Sequence, residues 1–161
     1  MLIEMTIKGL TVDPFTETPI VVLRDQGGDR VLSIWVGDHE AKAISQQIEN
    51  ITTQRPMTHD LLRNVIADLD GSVEQVVVSD LRDRTFYAVI CLSVRGERVL
   101  IDARPSDAIA LALRTKSPIL VDDAVIASAK ALDLAPDKTQ DGRLQRWLEG
   151  LDPEALGRYK M

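Results

Sequence analysis

Cysteine is nearly absent from this chain of 161 residues, which contains a single one, Cys91. One cysteine cannot form an internal disulfide, and it cannot supply the several thiolates of a cysteine zinc cluster. Cys91 lies in the apolar run 86–94. We therefore expect it to be a small residue of the buried core rather than a reactive group.

Long apolar runs are also missing, since nowhere do about eighteen apolar residues follow one another. The N-terminus, MLIEMTIKGL, carries Glu4 and Lys8 and lacks the basic start and long apolar stretch of a secretory leader. We therefore expect a cytoplasmic protein with no membrane segment.

Positive charge is in deficit, with 19 Lys and Arg against 25 Asp and Glu, which gives a net charge of -6. This balance argues against non-specific attraction to phosphate backbones, so any contact with nucleic acid needs a local basic patch or bound cations. The motifs G-x-x-x-x-G-K-[ST], G-x-G-x-x-G, G-x-S-x-G and H-E-x-x-H are all absent. The nucleotide-loop, dinucleotide-binding, hydrolase and zincin classes therefore lose their usual support.

What is present is the composition of an ordinary globular protein, 45% hydrophobic and 27% charged, long enough for one buried core. Alternating or short apolar segments bounded by turn residues predict strands. These segments are 1–10, 19–24, 30–36, 73–79, 86–94, 98–103 and 119–121. Helical spacing predicts helices that begin at 37, span 59–69 and 107–114, and span 122–131. The fold class is α+β, with a mixed, mainly antiparallel sheet and helices packed on it.

The two halves of the chain resemble each other. VLSIWVGDHEAKAI is similar to VLIDARPSDAIALA, which begins about 68 residues later. The similarity predicts an internal repeat of two β-β-β-α units, over about 2–50 and 73–116. It aligns Glu40 with Asp107, because each precedes an alanine.

A polar corner lies inside the stretch 99–114, VLIDARPSDAIALALR, between an apolar strand and a helix that should be mostly buried. The two acids of the corner, Asp102 and Asp107, are able to bind a divalent cation, since Mg²⁺ usually takes one or two protein carboxylates plus waters and phosphate oxygens. The alternative is structural. Arg104 would pair with one of these acids, and Ser106 or Asp107 would cap the helix.

Two further polar clusters are candidates for chemistry. The charged turn 80–84, DLRDR, is either a functional corner or a solvated hairpin tip. The other cluster contains Arg55, His59 and Asp60. A histidine in the first turn of a helix, with Thr58 as the expected N-cap, is a candidate general base or metal ligand. The alternative is an inert surface histidine.

These corners resemble the bifunctional nuclease family, formerly a domain of unknown function. The resemblance is carried by the runs RPMTHDLL, VVVSDLRDRTFYAVI and IDARPSDAIALALR, with VDPFTETPIVVLRD and LSIWVGDHEA before them, and it covers about residues 2–125. It implies a metal-supported nuclease that cuts RNA and DNA, in a compact, dimeric α+β fold. One departure from the family pattern is Arg84, where a glycine usually accompanies this turn.

The resemblance also implies which polar positions matter, together with a divalent cation, Mg²⁺ or Mn²⁺. The implied catalytic residues are His59, Asp60, Asp102, Arg104 and Asp107. The implied metal ligands are Asp80, Asp83, Asp102 and Asp107. The implied substrate contacts are Arg55, Arg82, Arg104 and Ser106. Glu40 also matches a family motif. In this hypothesis the acids hold the ion, an arginine neutralises a phosphate oxygen and His59 transfers a proton.

The expected organisation is a nuclease-like domain over residues 1–125 and a helical tail over 126–161. The tail packs on the domain or on a second subunit of a homodimer. The rival interpretation is a non-enzymatic regulatory or scaffold domain that binds a small anion or a protein partner. In a nuclease, acids from separate corners meet at an accessible point. In a scaffold, Asp102, Arg104 and Asp107 are saturated by mutual and backbone hydrogen bonds.

Overall fold

The computed structural model describes residues 1–133, which form seven strands and four helices. The strands are β1 (Leu2–Val12), β2 (Pro19–Asp25), β3 (Val31–Trp35), β4 (Gly71–Arg82), β5 (Thr85–Val94), β6 (Glu97–Ala103) and β7 (Ile119–Asp122). The helices are α1 (Asp38–Ile48), α2 (Thr58–Asp68), α3 (Pro105–Thr115) and α4 (Asp123–Asp133). Within residues 1–133, every helix is too short or too polar to cross a membrane. Of the expected tail over 126–161, residues 126–133 belong to α4, and the part after position 133 lies outside the described residues.

All strands belong to one sheet with the order β3-β2-β1-β7-β4-β5-β6. The β4 and β7 strands run parallel, and the other neighbouring pairs run antiparallel. The predicted α+β class with a mixed, mainly antiparallel sheet is confirmed. Outward from β7 the strands follow as β1, β2, β3 on one side and β4, β5, β6 on the other. The internal β-β-β-α repeat itself stays a prediction.

The core lies between the sheet and the helices, with α3 at its centre. Ile109 and Leu111 of α3 are fully buried, and they belong to one apolar cluster with Val76 of β4 and Ile90 of β5. The expectation of a mostly buried helix is confirmed. Cys91 is buried in β5, as expected of a small core residue. The predicted boundary at 125/126 falls inside α4, whose Val125 is part of the same core.

Helix α2 begins one residue earlier than the sequence indicates. Met57 is its N-cap, and Thr58 is already helical, so the expected Thr58 cap is wrong. The reason is Asp60, whose Oδ2 accepts a hydrogen bond of 3.1 Å from the Met57 amide. A carboxylate in the first turn satisfies a free backbone N–H as well as a capping hydroxyl does.

Arg114 near the end of α3 joins three helices. Its side chain is only 2% exposed, and its Nε donates to Asp60 Oδ1 of α2 at 2.7 Å. Nη1 donates to the Ala110 carbonyl at 2.9 Å, and Nη2 donates to the Ala43 carbonyl of α1 at 3.0 Å. A buried guanidinium needs such partners, because an unpaired charge in the interior is costly. Arg114 therefore fixes α1 and α2 against α3.

The Asp60 carboxylate should make stability sensitive to acid. Burial raises the pKa of Asp60, but the Met57 amide and Arg114 together outweigh burial, so that the pKa lies below its ordinary value of 3.8. The stabilisation is therefore complete above about pH 4 and is lost as the pH falls through the lowered pKa. Asp60→Asn should reduce the free energy of unfolding at pH 7 by about 3 kcal/mol, because it leaves Arg114 without its counter-charge.

Urea unfolding at several pH values between 7 and 2 tests this expectation. The variant should also lose less stability than the wild type on acidification. The matched control is Asp68→Asn, an exposed position on the same helix. Equal stability and an equal acid response of the Asp60→Asn variant and the wild type would contradict the proposed role of Asp60.

The β4–β5 hairpin contains a strained two-residue turn. Arg82 pairs with Thr85, and the residues between them have left-handed φ angles of 50° at Asp83 and 65° at Arg84. A side chain at such a φ costs about 1 kcal/mol relative to glycine.

Arg84→Gly should therefore raise the melting temperature by about 3 °C. Arg84→Ala loses the same charge but keeps Cβ, so it should melt close to the wild type; equal shifts in both variants would rule out backbone strain as the cause.

Candidate functional site

A chain of hydrogen bonds joins side chains from the N-terminal ends of α1, α2 and α3. Glu40 Oε1 accepts from Arg104 Nη2 at 2.8 Å, and Asp107 Oδ2 accepts from Arg104 Nε at 2.9 Å. Asp107 Oδ1 lies 2.9 Å from His59 Nε2. We call these four residues the polar cluster. It brings together three of the predicted catalytic residues and Glu40.

The cluster forms because each helix carries an acid at its third position, where free amides and the helix dipole favour a negative charge. These acids are Glu40 of α1, Asp60 of α2 and Asp107 of α3. Asp60 is bound by the buried Arg114. The other two acids meet at Arg104, the N-cap residue of α3. The interpretation in which Arg104 pairs with an acid of its own corner is correct, whereas α3 has no side-chain cap hydrogen bond.

Arg104 lies between two carboxylates and still faces solvent, since its side chain is 64% exposed. The pKa of Glu40 is lowered, first by its own backbone N–H and then by Arg104. The two acids raise the pKa of Arg104. Two carboxylates and one guanidinium give the cluster a formal charge of -1 when His59 is neutral. An incoming phosphate therefore needs additional positive charge, from a protonated His59 or from a cation.

His59 is held in one orientation by Asp107, and its side chain is 10% exposed. An ionised carboxylate can only accept a hydrogen bond, so in the neutral ring the proton lies on Nε2 and the lone pair on Nδ1. A carboxylate that orients an imidazole in this way prepares it to accept a proton from a reacting group.

Gly37, the N-cap residue of α1, leaves the space in which the Glu40 carboxylate lies. A Cβ at Gly37 would collide with Glu40 Oε2. The Gly37 φ of -75° is open to other residues, so space rather than backbone conformation favours glycine here. Sequence reasoning did not single out Gly37 or Arg114. It brought Glu40 forward only through the family motif and the alignment of the two halves.

The predicted metal ligands of the β4–β5 hairpin, Asp80 and Asp83, form no hydrogen bond or ion pair with the polar cluster within residues 1–133. Asp80 pairs with Arg82 at 2.7 Å and accepts the Leu81 amide at 2.8 Å, and the Arg82 guanidinium lies 4.4 Å from the centre of the Tyr87 ring. Asp83 lies in the turn itself. Arg82 is therefore held at the hairpin tip by its own neighbours.

Asp102 is placed on the other face of the sheet from α3. It is opposite Val89 in the β5–β6 ladder, whereas its neighbour Ile101 is opposite Ile90, which lies in the core beneath α3. Side chains alternate along a strand, so Asp102 and Asp107 do not share a site. Asp80 belongs to β4 and is opposite Tyr87 of β5, and β5 lies between β4 and β6. From strand spacing and rise, its Cα is about 12 Å from that of Asp102.

The two remaining substrate-contact candidates do not join the cluster through a hydrogen bond. Ser106 is 7% exposed in the first turn of α3. Arg55 is exposed in the loop before α2, where its carbonyl accepts the Thr53 hydroxyl at 2.7 Å.

The side chains as arranged do not fit a divalent cation. Within residues 1–133, no group of three or more His, Cys, Asp or Glu side chains is placed to hold a metal ion. Both oxygens of Asp107 are occupied by His59 and Arg104, and both oxygens of Asp80 by Arg82 and Leu81. The four acids predicted as ligands are therefore not assembled around one point.

Comparison with known proteins identifies the family. The model of the bifunctional nuclease domain matches residues 21–133. An uncharacterized protein of Mycobacterium tuberculosis (strain H37Rv) is 39% identical over 138 residues, which cover 86% of this chain and 81% of that protein.

Two plant proteins are also similar. Bifunctional nuclease 2 of Oryza sativa subsp. japonica is 28% identical over 118 residues, 71% of this chain and 36% of the plant protein. Bifunctional nuclease 1 of Arabidopsis thaliana is 30% identical over 107 residues, 64% of this chain and 33% of the plant protein. This chain thus spans about a third of the length of these plant relatives. Since the family model covers more than half of the residues, the chain belongs to the bifunctional nuclease domain family.

Proposed function

We propose that this protein is a nuclease that hydrolyses phosphodiester bonds of RNA or DNA, with the polar cluster as its active site. Family membership and the names of the plant relatives support the activity. The observation that carries the assignment to this site is the His59 ring, oriented by Asp107 beside the exposed guanidinium of Arg104.

The proposed chemistry uses three side chains. His59 Nδ1 takes a proton from water as the water oxygen adds to phosphorus, and the bond from phosphorus to the leaving oxygen breaks. Arg104 donates hydrogen bonds to a non-bridging oxygen, and Asp107 stabilises the imidazolium that forms. The leaving oxygen receives a proton from that imidazolium or from solvent. General base catalysis of this kind contributes about 10²- to 10⁴-fold to the rate.

A divalent cation, Mg²⁺ or Mn²⁺, remains part of the proposal, because the cluster carries more negative than positive charge. Residues 1–133 supply no ligand group for it, so it is assigned no protein ligand and no step. Water and substrate phosphates supply much of the usual coordination of Mg²⁺. A homodimer and a cytoplasmic location also stay predictions.

A second candidate function is a non-enzymatic scaffold. It is favoured by the hydrogen bonds from Arg104 to Glu40 and Asp107, which add a link between α1 and α3. In this alternative the cluster is a structural clamp, and its surface binds an anion or a protein partner without cleaving it.

The nuclease proposal predicts that His59→Ala and His59→Gln each lower the cleavage rate about 10²- to 10⁴-fold. The measurement is cleavage of end-labelled single-stranded RNA and DNA by the full chain with Mg²⁺, with Mn²⁺ and with EDTA. The matched control is His39→Ala, because His39 occupies the second position of α1 as His59 does in α2, but is exposed. Its activity should equal that of the wild type.

The outcomes separate the two functions. Loss of cleavage in both His59 variants, with unchanged melting temperatures, supports the active site. Equal cleavage by all three variants means a different site or a contaminating enzyme, and it overturns the assignment. A wild type that is inactive in every condition, with His59 variants that melt at lower temperature, supports the scaffold. Cleavage that persists in EDTA excludes the cation.

A substitution at Gly37 tests the Glu40–Arg104 contact without removing a charge. Gly37→Ala should push the Glu40 carboxylate off Arg104 and slow cleavage about tenfold, because loss of positioning costs rate without removing the reacting groups. The backbone permits alanine here, so the melting temperature should hold. In a Glu40→Ala background the same change should have no further effect. An equal effect in both backgrounds would show that Gly37 acts elsewhere.

A further inference from the structure

Strand β6 ends the sheet with an edge that the rest of residues 1–133 leaves open. It pairs with β5 alone, over seven residues without a bulge. Val99, Leu100 and Ile101 are 38%, 63% and 41% exposed. The free N–H and C=O groups of such an edge form a template for another strand, and proteins usually protect them with prolines, bulges or a covering element.

The opposite edge of the sheet is different. Strand β3 has five residues, and its Leu32 and Ile34 are buried in the core. Its Trp35 is held by a hydrogen bond of 3.1 Å from Nε1 to Asp13 Oδ2. The open apolar edge is therefore a property of β6 in particular and not of both ends of the sheet.

The sequence of β6, ERVLIDA, is complementary to itself when two copies run antiparallel. With a twofold axis at Leu100, that residue faces its own copy and Val99 faces Ile101. In the same register Arg98 faces Asp102, and the symmetry repeats this pair on the other side of the axis. Opposite charges and apolar side chains directly across a strand pair are the favourable combinations.

Other registers lose this match. An axis at Ile101 places Arg98 opposite Arg104 and Leu100 opposite Asp102. An axis at Val99 places Arg98 opposite Leu100. Axis positions between two residues are excluded, because hydrogen-bonded and non-hydrogen-bonded pairs alternate along an antiparallel ladder and symmetry would make two unlike pairs equivalent. Of these three registers, only the one centred on Leu100 places opposite charges across the strand pair, so this register is favoured.

Both charged residues are available for this pairing. Asp102 is exposed and forms no ion pair within residues 1–133. Arg98 is 62% exposed, and its Nε is 3.9 Å from the Glu74 carboxylate, which is the outer limit of an ion pair. Pairing would satisfy the backbone edge, cover the three apolar residues and give each charge a partner.

We propose that a second copy of this chain pairs with β6 through the register centred on Leu100, which joins two seven-stranded sheets across a twofold axis. Asp102 then belongs to the subunit interface and not to a metal site. This proposal gives an interface to the predicted homodimer. It does not depend on nuclease activity, because the test measures association alone.

The test is sedimentation of the full chain over a range of concentrations. The wild type should dimerise, and Arg98→Asp or Asp102→Arg should each weaken the dimer about tenfold or more, because each variant places like charges across the axis twice. An equimolar mixture of the two variants should dimerise again, since every introduced charge then faces its opposite. The double variant R98D/D102R should dimerise as well. Arg95→Asp, the same charge change in the turn before β6, should have no effect.

Recovery in the mixture identifies the register, because a folding defect is not repaired by a second defective chain. A wild type that stays monomeric overturns the proposal. A dimer that survives both single variants overturns it as well, and so does a mixture that stays monomeric. Thermal melting of each variant confirms that the chains are folded.

Discussion

The buried guanidinium of Arg114 sets the relative positions of the helices that form the candidate site. It donates to Asp60 of α2 and to the Ala43 carbonyl of α1, while it belongs to α3 itself. Its charge is balanced by Asp60, the residue directly after His59. Any shift of Asp60 therefore moves His59 relative to Asp107. The geometry of the polar cluster thus depends on an ion pair outside the cluster, and a change in stability at Asp60 should be accompanied by a change at the site.

The elements of the fold were predictable from local patterns, and their ends were not. Within residues 1–133, alternation and turn residues placed the seven strands and helical spacing placed the four helices, because these signals lie within a few neighbouring residues. The β4 strand runs on to Arg82, beyond the predicted end at 79, because the turn needs only Asp83 and Arg84. Thr58 looked like a cap, but the helix already includes Thr58, with Met57 as the N-cap residue and the Met57 amide bonded to Asp60. Which residue takes the N-cap position depends on backbone geometry that residue types alone do not show.

The members of the site were predictable one by one, whereas their partners were not. His59, Arg104 and Asp107 were named from their corners, but the contact of His59 with Asp107 spans 48 positions of the chain and depends on how α2 packs on α3. The separation of Asp102 from Asp107 follows from strand alternation, because Ile101 faces the core side. That inference needed the pairing of β6 with β5, which shows that Ile101 is opposite the core residue Ile90. The position of β6 at the edge of the sheet needed the strand order, which the sequence analysis left open.

The two arginines at opposite ends of α3, Arg104 and Arg114, differ in exposure and in the role that their contacts indicate. Arg114 is 2% exposed and binds one carboxylate and two carbonyls, which is the pattern of a residue that holds elements together. Arg104 binds two carboxylates while 64% exposed. Exposed ion pairs contribute little to stability, because water screens the charges and side-chain freedom is lost. Stability alone is thus a weak reason to place two acids and an oriented imidazole around Arg104. A guanidinium held in place at the surface can bind an anion in either function. The imidazole oriented by Asp107 beside it favours the nuclease over the scaffold, because binding an anion without cleaving it needs no base.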